Sequence, residues 1–453
     1  MNSHSIEQLD EWDRLHLWHP FTQMGEYEPL ILAAGQGSKL IDIQGRQYID
    51  GVSSLWCNIH GHRHPQLDAA LKQQIDQLSH ATLLGSSNPP AILLAKRLAD
   101  LAPGDLNHVF FSDDGATAIE AALKMAFQYW QQCPQPQPEK TKFLALGEAY
   151  HGDTLGSVSV GDLARFHALF GPLLFPTYRA AAPSMYRLPP GVTPETACQH
   201  FLQTVENVLQ QHHQHIAAFI LEPLVQGAAG MLVHPPGYLH GVRELTQRYN
   251  VLLIADEVAV GFGRTGTMFA CQQENVTPDL MCLAKGLTAG YLPLAATLAT
   301  DRIWQAFYGR YEENKHFYHG HTYSGNPLGA AVALASLDIF ESEQTLSHLP
   351  PKIERLSSHL SRISQLPHVG DVRQRGLMAG IELVQNLDTA EPFPWPQRRG
   401  HRVCELVRRQ GVLLRPLGNV LVIMPPLCIS LEEIDRICTS VEEAIPIVTT
   451  EKF

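Results

Sequence analysis

Between residues 107 and 300, short apolar runs alternate with stretches whose apolar residues recur at helical spacing. The runs are VFF, FLAL, AFIL, LLIA, LMCL and ATLAT. Each is short for a helix and lacks the polar alternation of a half-buried strand, so each reads as a strand covered on both faces. The clearest helical stretch carries Ile119, Ala122, Leu123, Ala126, Phe127 and Trp130 on one face. This alternation predicts a mostly parallel central sheet flanked by helices. Four runs end on or beside polar groups: Tyr150, Glu222, Asp256 and Lys285. The C-terminal ends of parallel strands share one edge, where open α/β sheets bind ligands. The four side chains are therefore expected around one crevice.

The flanks read differently. Residues 31–52 predict a hairpin turning at Gln44-Gly45, followed by a histidine-rich loop, SSLWCNIHGHRHP, over 53–65. Helices are expected over 66–78, 91–101, 201–211 and 236–249, with 161–200 irregular and rich in proline. Beyond about 345 the pattern is α+β: a helix to 366, strands around a glycine turn, the proline-rich run EPFPWPQ, a helix over 398–410, and a last helix over 431–445. The expected division is an N-terminal segment (1–64) joining a smaller C-terminal domain (331–453), with a large domain (65–330) between. Near the start, LWHPFTQM (17–24) places two aromatics, a histidine and a proline in eight residues. It suits a segment pinned over something.

Composition narrows the function. A net charge of -12 argues against nucleic acid or an anionic membrane as main partner. No apolar run approaches the roughly 20 residues of a membrane-spanning helix, and the first residues lack the pattern of a secretory signal. The eight cysteines form no CxxC pair, which fits free thiols in a reducing cytoplasm. The densest histidines, His212, His213 and His215, suit a solvated helix end, and no metal is expected.

An aspartate at one buried strand end and a lysine at the next suit a pyridoxal phosphate site. A desolvated Lys285 has a lowered pKa and becomes a nucleophile able to bond the cofactor. Asp256 would pair with the pyridinium nitrogen. The turn Asp113-Asp114-Gly115 opens the helix after the first strand, so the amides of Gly115 and Ala116 would hold a phosphate. Thr322 would add a hydroxyl, and Tyr150 and His151 would border the ring.

The spacing DEVAVGFGRTG…PDLMCLAKG resembles the class III aminotransferases of pyridoxal phosphate fold type I. The motifs LWHPFTQM, SSLWCNIHGHRHP, DGATAIEAALKMAFQYW, AYHGDTLG, HGHTYSGNPL and RPLGNVLVIMPP resemble the biotin-pathway branch of that family, over about 15 to 445. The resemblance implies amination of 8-amino-7-oxononanoate, with S-adenosylmethionine as amino donor. It also implies a homodimer in which Gly320, His321 and Thr322 reach the other subunit's cofactor. Arg415 would receive the substrate carboxylate, with the chain along Phe21, Leu55, Trp56 and Tyr150. Residues 223–243 contain no glutamate, so the acid with which glutamate-linked relatives mask that arginine is absent. Phe21, Leu55 and Val422 stand where the S-adenosylmethionine pattern has aromatic or phenolic residues. The run FTQM together with HGHR resembles instead the branch that uses lysine as donor. Ala116 stands where serine is frequent, leaving only its amide for the phosphate. The alternatives are another class III enzyme acting on ornithine, 4-aminobutyrate or a diamine, a lyase or decarboxylase of the same fold, and a non-catalytic cofactor-binding protein.

Overall fold

A computed structural model describes residues 4–451. Near the N-terminus three strands, β1 (Leu32–Gln36), β2 (Lys39–Asp42) and β3 (Gln47–Asp50), form an antiparallel ribbon. The β2–β3 turn contains Gly45 at φ 81°, a conformation glycine adopts without a steric penalty.

The central sheet contains the six expected runs and one more. In chain order these are β4 (His108–Ser112), β5 (Lys142–Leu146), β6 (Tyr178–Ala180) and β7 (Ile216–Leu221). The small hairpin β8–β9 (Val225–Gln226 and Leu232–Val233) follows. The sheet is completed by β10 (Leu252–Asp256), β11 (Leu280–Leu283) and β12 (Ala295–Ala299). The spatial order is β4-β12-β11-β10-β7-β5-β6. Six strands share one direction, while β12 runs antiparallel to both neighbours. Only a short 3₁₀ segment, Lys285–Thr288, lies between β11 and β12, where a parallel return needs a crossover of a dozen residues or more. β6 falls in the stretch expected to be irregular. It is three residues long and adds to the edge beside β5.

The helix Gly115–Gln132 packs against several of these strands, burying Ile119, Ala122, Leu123, Ala126 and Trp130, whereas Phe127, expected on the same face, stays exposed. Asp114 caps it, accepting from the Thr117 amide. On the other face lie helices Ala197–His212 and Tyr238–Arg248. His212 ends the first of these, stacked 4.4 Å from the Tyr178 ring, and no metal-binding cluster occurs among the described residues.

The C-terminal part is built on β13 (Val369–Arg375) and β14 (Met378–Asn386), with β15 (Glu391–Pro392) at the edge. Two residues, β16 (Val412–Leu413), pair parallel with β3, tying the N-terminal ribbon to this part of the chain. The hairpin β17 (Arg415–Leu417) and β18 (Val420–Ile423) pairs with β14. The final helix, Leu431–Thr450, runs past its expected end at 445 with Pro446 inside it. Its buried face, including Ile437, Val441, Ala444 and Val448, outweighs the lost hydrogen bond. No helix among the described residues is long and apolar enough to cross a membrane.

Candidate active site

In the sheet order β11-β10-β7-β5, four adjacent strands deliver Lys285, Asp256, Glu222 and Tyr150 to the same edge. All four line a cavity of about 1440 Å³, together with Phe21, Leu55, Trp56, Gly115, Ala116, His151 and Arg415. The segment 17–24 reaches the cavity through Phe21, Thr22 and Gln23, with Phe21 more than half exposed and Trp18 in solvent.

Lys285 begins the turn after β11 in the left-handed region, at φ 45°. Strain of this kind is held by surrounding structure and clusters at functional sites. Burial lowers the pKa of its amine, against the opposing pull of Asp256 and Glu222. Its Nζ lies 5.0 Å from the centre of the Trp56 ring. Asp256 is the last residue of β10. Its Oδ2 accepts from His151 Nδ1 at 2.7 Å, and Oδ1 accepts from the Val258 amide at 3.0 Å. A carboxylate only accepts, so His151 carries its proton on Nδ1. The other ring nitrogen, Nε2, is buried without a partner.

The two adjacent acids at the end of β10 separate in the structure. Glu257 turns into the interior and accepts from the amides of Ala270 and Cys271, each at 2.8 Å. Burial raises its pKa to about 7. Glu222 faces the cavity, and its carboxylate accepts from the amides of Gly227 and Tyr150. Burial, reinforced by Asp256, likewise raises it to about 7 against the pull of His151 and these two amides. Asp256 therefore keeps its carboxylate at the cavity, hydrogen-bonded to His151, while Glu257 is turned away from it. Tyr150 borders the cavity, its hydroxyl donating to Asp153 at 2.7 Å.

The start of the helix Gly115–Gln132 offers amides without intrahelical acceptors. A Cβ on Gly115 would come within 2.7 Å of Val258, and one on Gly152 within 2.4 Å of the Ala116 Cβ. Only glycine fits at either position. Lysine amine, aspartate–histidine pair and helix start together have the chemistry that pyridoxal phosphate requires. Lys285 would bond the cofactor aldehyde, Asp256 would pair with the ring nitrogen, and the amides at the helix start would hold the phosphate.

Three expected residues lie elsewhere. Gly320, His321 and Thr322 do not line this chain's cavity. Thr322 is exposed, and His321 Nδ1 sits 3.0 Å from Asp113 Oδ2 at the rim. Val422 is buried within the hairpin, on β18, paired across the strands with Arg415. Of the three positions that depart from the S-adenosylmethionine pattern, Phe21 and Leu55 therefore face the cavity and Val422 does not.

The pattern of residue types did not reveal how Trp56 is positioned. Ser53, Ser54, Leu55 and Trp56 all have positive φ, from 41° to 72°. Each such residue costs about 1–2 kcal/mol. The turn is fixed by Ser53 Oγ donating to the Met424 carbonyl at 2.6 Å and Ser54 Oγ donating to buried Asp50 at 2.8 Å. It leaves the Trp56 indole N–H buried without an acceptor beside the cavity. Serines in 53–65 were the one available signal, since short hydroxyl side chains fasten irregular turns.

The class-III aminotransferase family model matches residues 22–445. The adenosylmethionine-8-amino-7-oxononanoate aminotransferase of Geobacter sulfurreducens is 54% identical, over 99% of this chain and 100% of that protein. The crystal structure of the Methanocaldococcus jannaschii protein of the same name superposes with a TM-score of 0.92 at 44% identity, covering 98% of this chain and 99% of that one. An amine transaminase from an uncultivated Pseudomonas species, solved in its pyridoxal-phosphate-bound form, gives a TM-score of 0.90 at 36% identity, covering 95% and 98%. With the expected lysine, aspartate and helix start in place along one sheet edge, the chain belongs to the class III aminotransferases.

Proposed function

We propose that this protein transfers an amino group from S-adenosylmethionine to 8-amino-7-oxononanoate, forming 7,8-diaminononanoate in biotin biosynthesis, with pyridoxal 5'-phosphate as cofactor. The observation that carries this reading is one cavity holding a lysine amine, an aspartate–histidine pair and an aromatic wall that leads to an arginine. Relatives bearing that activity in their names span the whole chain. When bound, pyridoxal phosphate supplies the carbon that carries the amino group between substrates and a ring that withdraws electrons.

The protein's groups divide the remaining work. Lys285 Nζ, whose pKa burial lowers, takes the proton from the donor's α-carbon and returns one to the acceptor's C7. Asp256 would hold a proton on the ring nitrogen, and His151 orients Asp256 through its Nδ1–H. Gly115 and Ala116 would bind the phosphate through their amides. Phe21, Leu55, Trp56 and Tyr150 exclude water along the substrate chain, and Arg415 receives its carboxylate through its planar fork. A second reading, lysine as donor, is favoured by Phe21 and Leu55, which replace two polar or stacking groups where they face the cavity.

The same proposal includes a homodimer with shared sites. It is supported by exposed Thr322 and by the apolar side chains left in solvent nearby, Leu84 and Tyr323 among them. Gly320 and His321 would follow Thr322 toward the partner's phosphate. We place 1–64 with the C-terminal domain (331–453), as the β3–β16 pairing supports, and 65–330 as the cofactor-binding domain. The eight free cysteines support a reducing cytoplasm. Complementation tests reaction and assembly together. Lys285→Ala and Thr322→Glu proteins should each form almost no diamine alone. Mixed and re-equilibrated, they should recover activity from the one intact site of each heterodimer. No recovery would contradict the shared site; a wild type that makes no diamine would contradict the reaction.

A further inference from the structure

The proline-rich run around Trp395 and the short helix Ala164–His167 have no part in the chemistry above, yet both reach the cavity. Trp395 heads the turn Trp395–Gln397, with Pro394 and Pro396 fixing φ on either side of it. The guanidinium of Arg165, on the short helix, sits over the face of the Trp395 ring. The hairpin turn at Gly418 passes against both. A Cβ there would stand 3.2 Å from Trp395 Cζ3 and 3.6 Å from Arg165 Nη1. Gly418 has φ 66°, so this close approach and this turn both call for glycine. The same turn ends the strand that opens with Arg415, and residues Arg415, Pro416, Leu417 and Gly418 all line the cavity. Two guanidiniums thus flank one rim.

Stacking uses the face of Arg165 and leaves its N–H donors around the edge. Among the described residues no carboxylate or carbonyl accepts from them, and no acid offsets the burial that lowers its pKa. Three other buried or half-buried arginines differ. Arg179 donates to the carbonyls of Ser159, Val160 and Gly161, Arg373 bridges Asp371 and Glu382, and buried Arg264 donates to the carbonyls of Pro425 and Asn58. A guanidinium with a fixed plane and an unengaged edge is preorganised for a carboxylate.

We propose that Arg165, held on Trp395, is a second receptor for the acceptor's carboxylate, meeting it from the side of the rim across from Arg415. This rests on the reaction proposed above, in which the acceptor's carboxylate lies far from the carbon that gains the amine. Trp395 acts as the positioning residue.

Calorimetry on the holoenzyme with octanoate and octanamide separates the carboxylate from the chain. Wild type should bind octanoate the more tightly. Arg165→Met, which keeps an unbranched apolar stem on the indole, should reduce that preference about tenfold with octanamide affinity unchanged. Trp395→Leu should reduce it less. In turnover, Arg165→Met should raise KM for 8-amino-7-oxononanoate about tenfold and leave the donor half-reaction at its wild-type rate. An unchanged octanoate preference would overturn the proposal. So would an equal loss of octanoate and octanamide binding, the mark of a purely structural latch. If wild type fails to aminate the acceptor, the reaction falls, while the octanoate comparison still decides the role of Arg165.

Discussion

Lys285→Ala is expected to reduce transamination by at least about 10⁴-fold, because one side chain both bonds the cofactor and moves the proton. The variant should still fold, and its apoprotein should melt no lower than wild type. Burial holds the lysine pKa down, so the folded state disfavours the charged amine and removing it relieves that penalty. The left-handed backbone at 285 is imposed by the turn and is no harder for alanine than for lysine. Removal also strands no acid, since Asp256 keeps its bonds from His151 and Val258. Steady-state rates, a melting curve and the mass of borohydride-treated protein check all three points. A variant still joined covalently to the cofactor, or retaining a tenth of wild-type turnover, would refute the role given to Lys285.

Asp256→Asn is expected to lower kcat on the order of 10²-fold, the worth of a charge-assisted bond to a protonated ring nitrogen. Its stability should barely change, because the amide oxygen can still accept from His151 Nδ1 or the Val258 amide. Asp256→Ala should lose at least as much activity and also melt lower. It leaves both nitrogens of a buried imidazole without a partner, at about 1–3 kcal/mol. Comparing kcat and melting temperature across the two variants separates charge from packing. Equal kcat in Asp256→Asn and wild type would show that the ring is not protonated through this residue.

Much of this was legible in residue patterns because buried parallel strands are continuous apolar runs, and their ends are where ionisable groups are out of place. Asp256 and Lys285 were visible for that reason, as was the helix face of Ile119 to Trp130. β6 escaped notice because three edge residues after a proline-rich stretch carry no period. The reversal of β12 was hidden because strand direction depends on the connection, not on the residues within the strand. Pro446 marked a helix end where tertiary burial carried the helix onward. Side-chain partnerships between distant segments were the least legible. The His151–Asp256 bond spans 105 positions, and Arg165 meets Trp395 from a stretch with no clear pattern. Ser53 to Trp56 form a left-handed turn of four non-glycine residues, which propensity disfavours at every step and only the fold sustains.

In the proposed reaction the amine placed on C7 of the acceptor comes from S-adenosylmethionine through this cavity. Purified holoenzyme should therefore be given S-adenosylmethionine labelled with ¹⁵N at the α-amine, together with 8-amino-7-oxononanoate and unlabelled lysine, and the product read by mass spectrometry. The account predicts 7,8-diaminononanoate carrying one ¹⁵N. Diamine without the label would assign the donor role to lysine, and unconsumed acceptor would contradict the reaction itself.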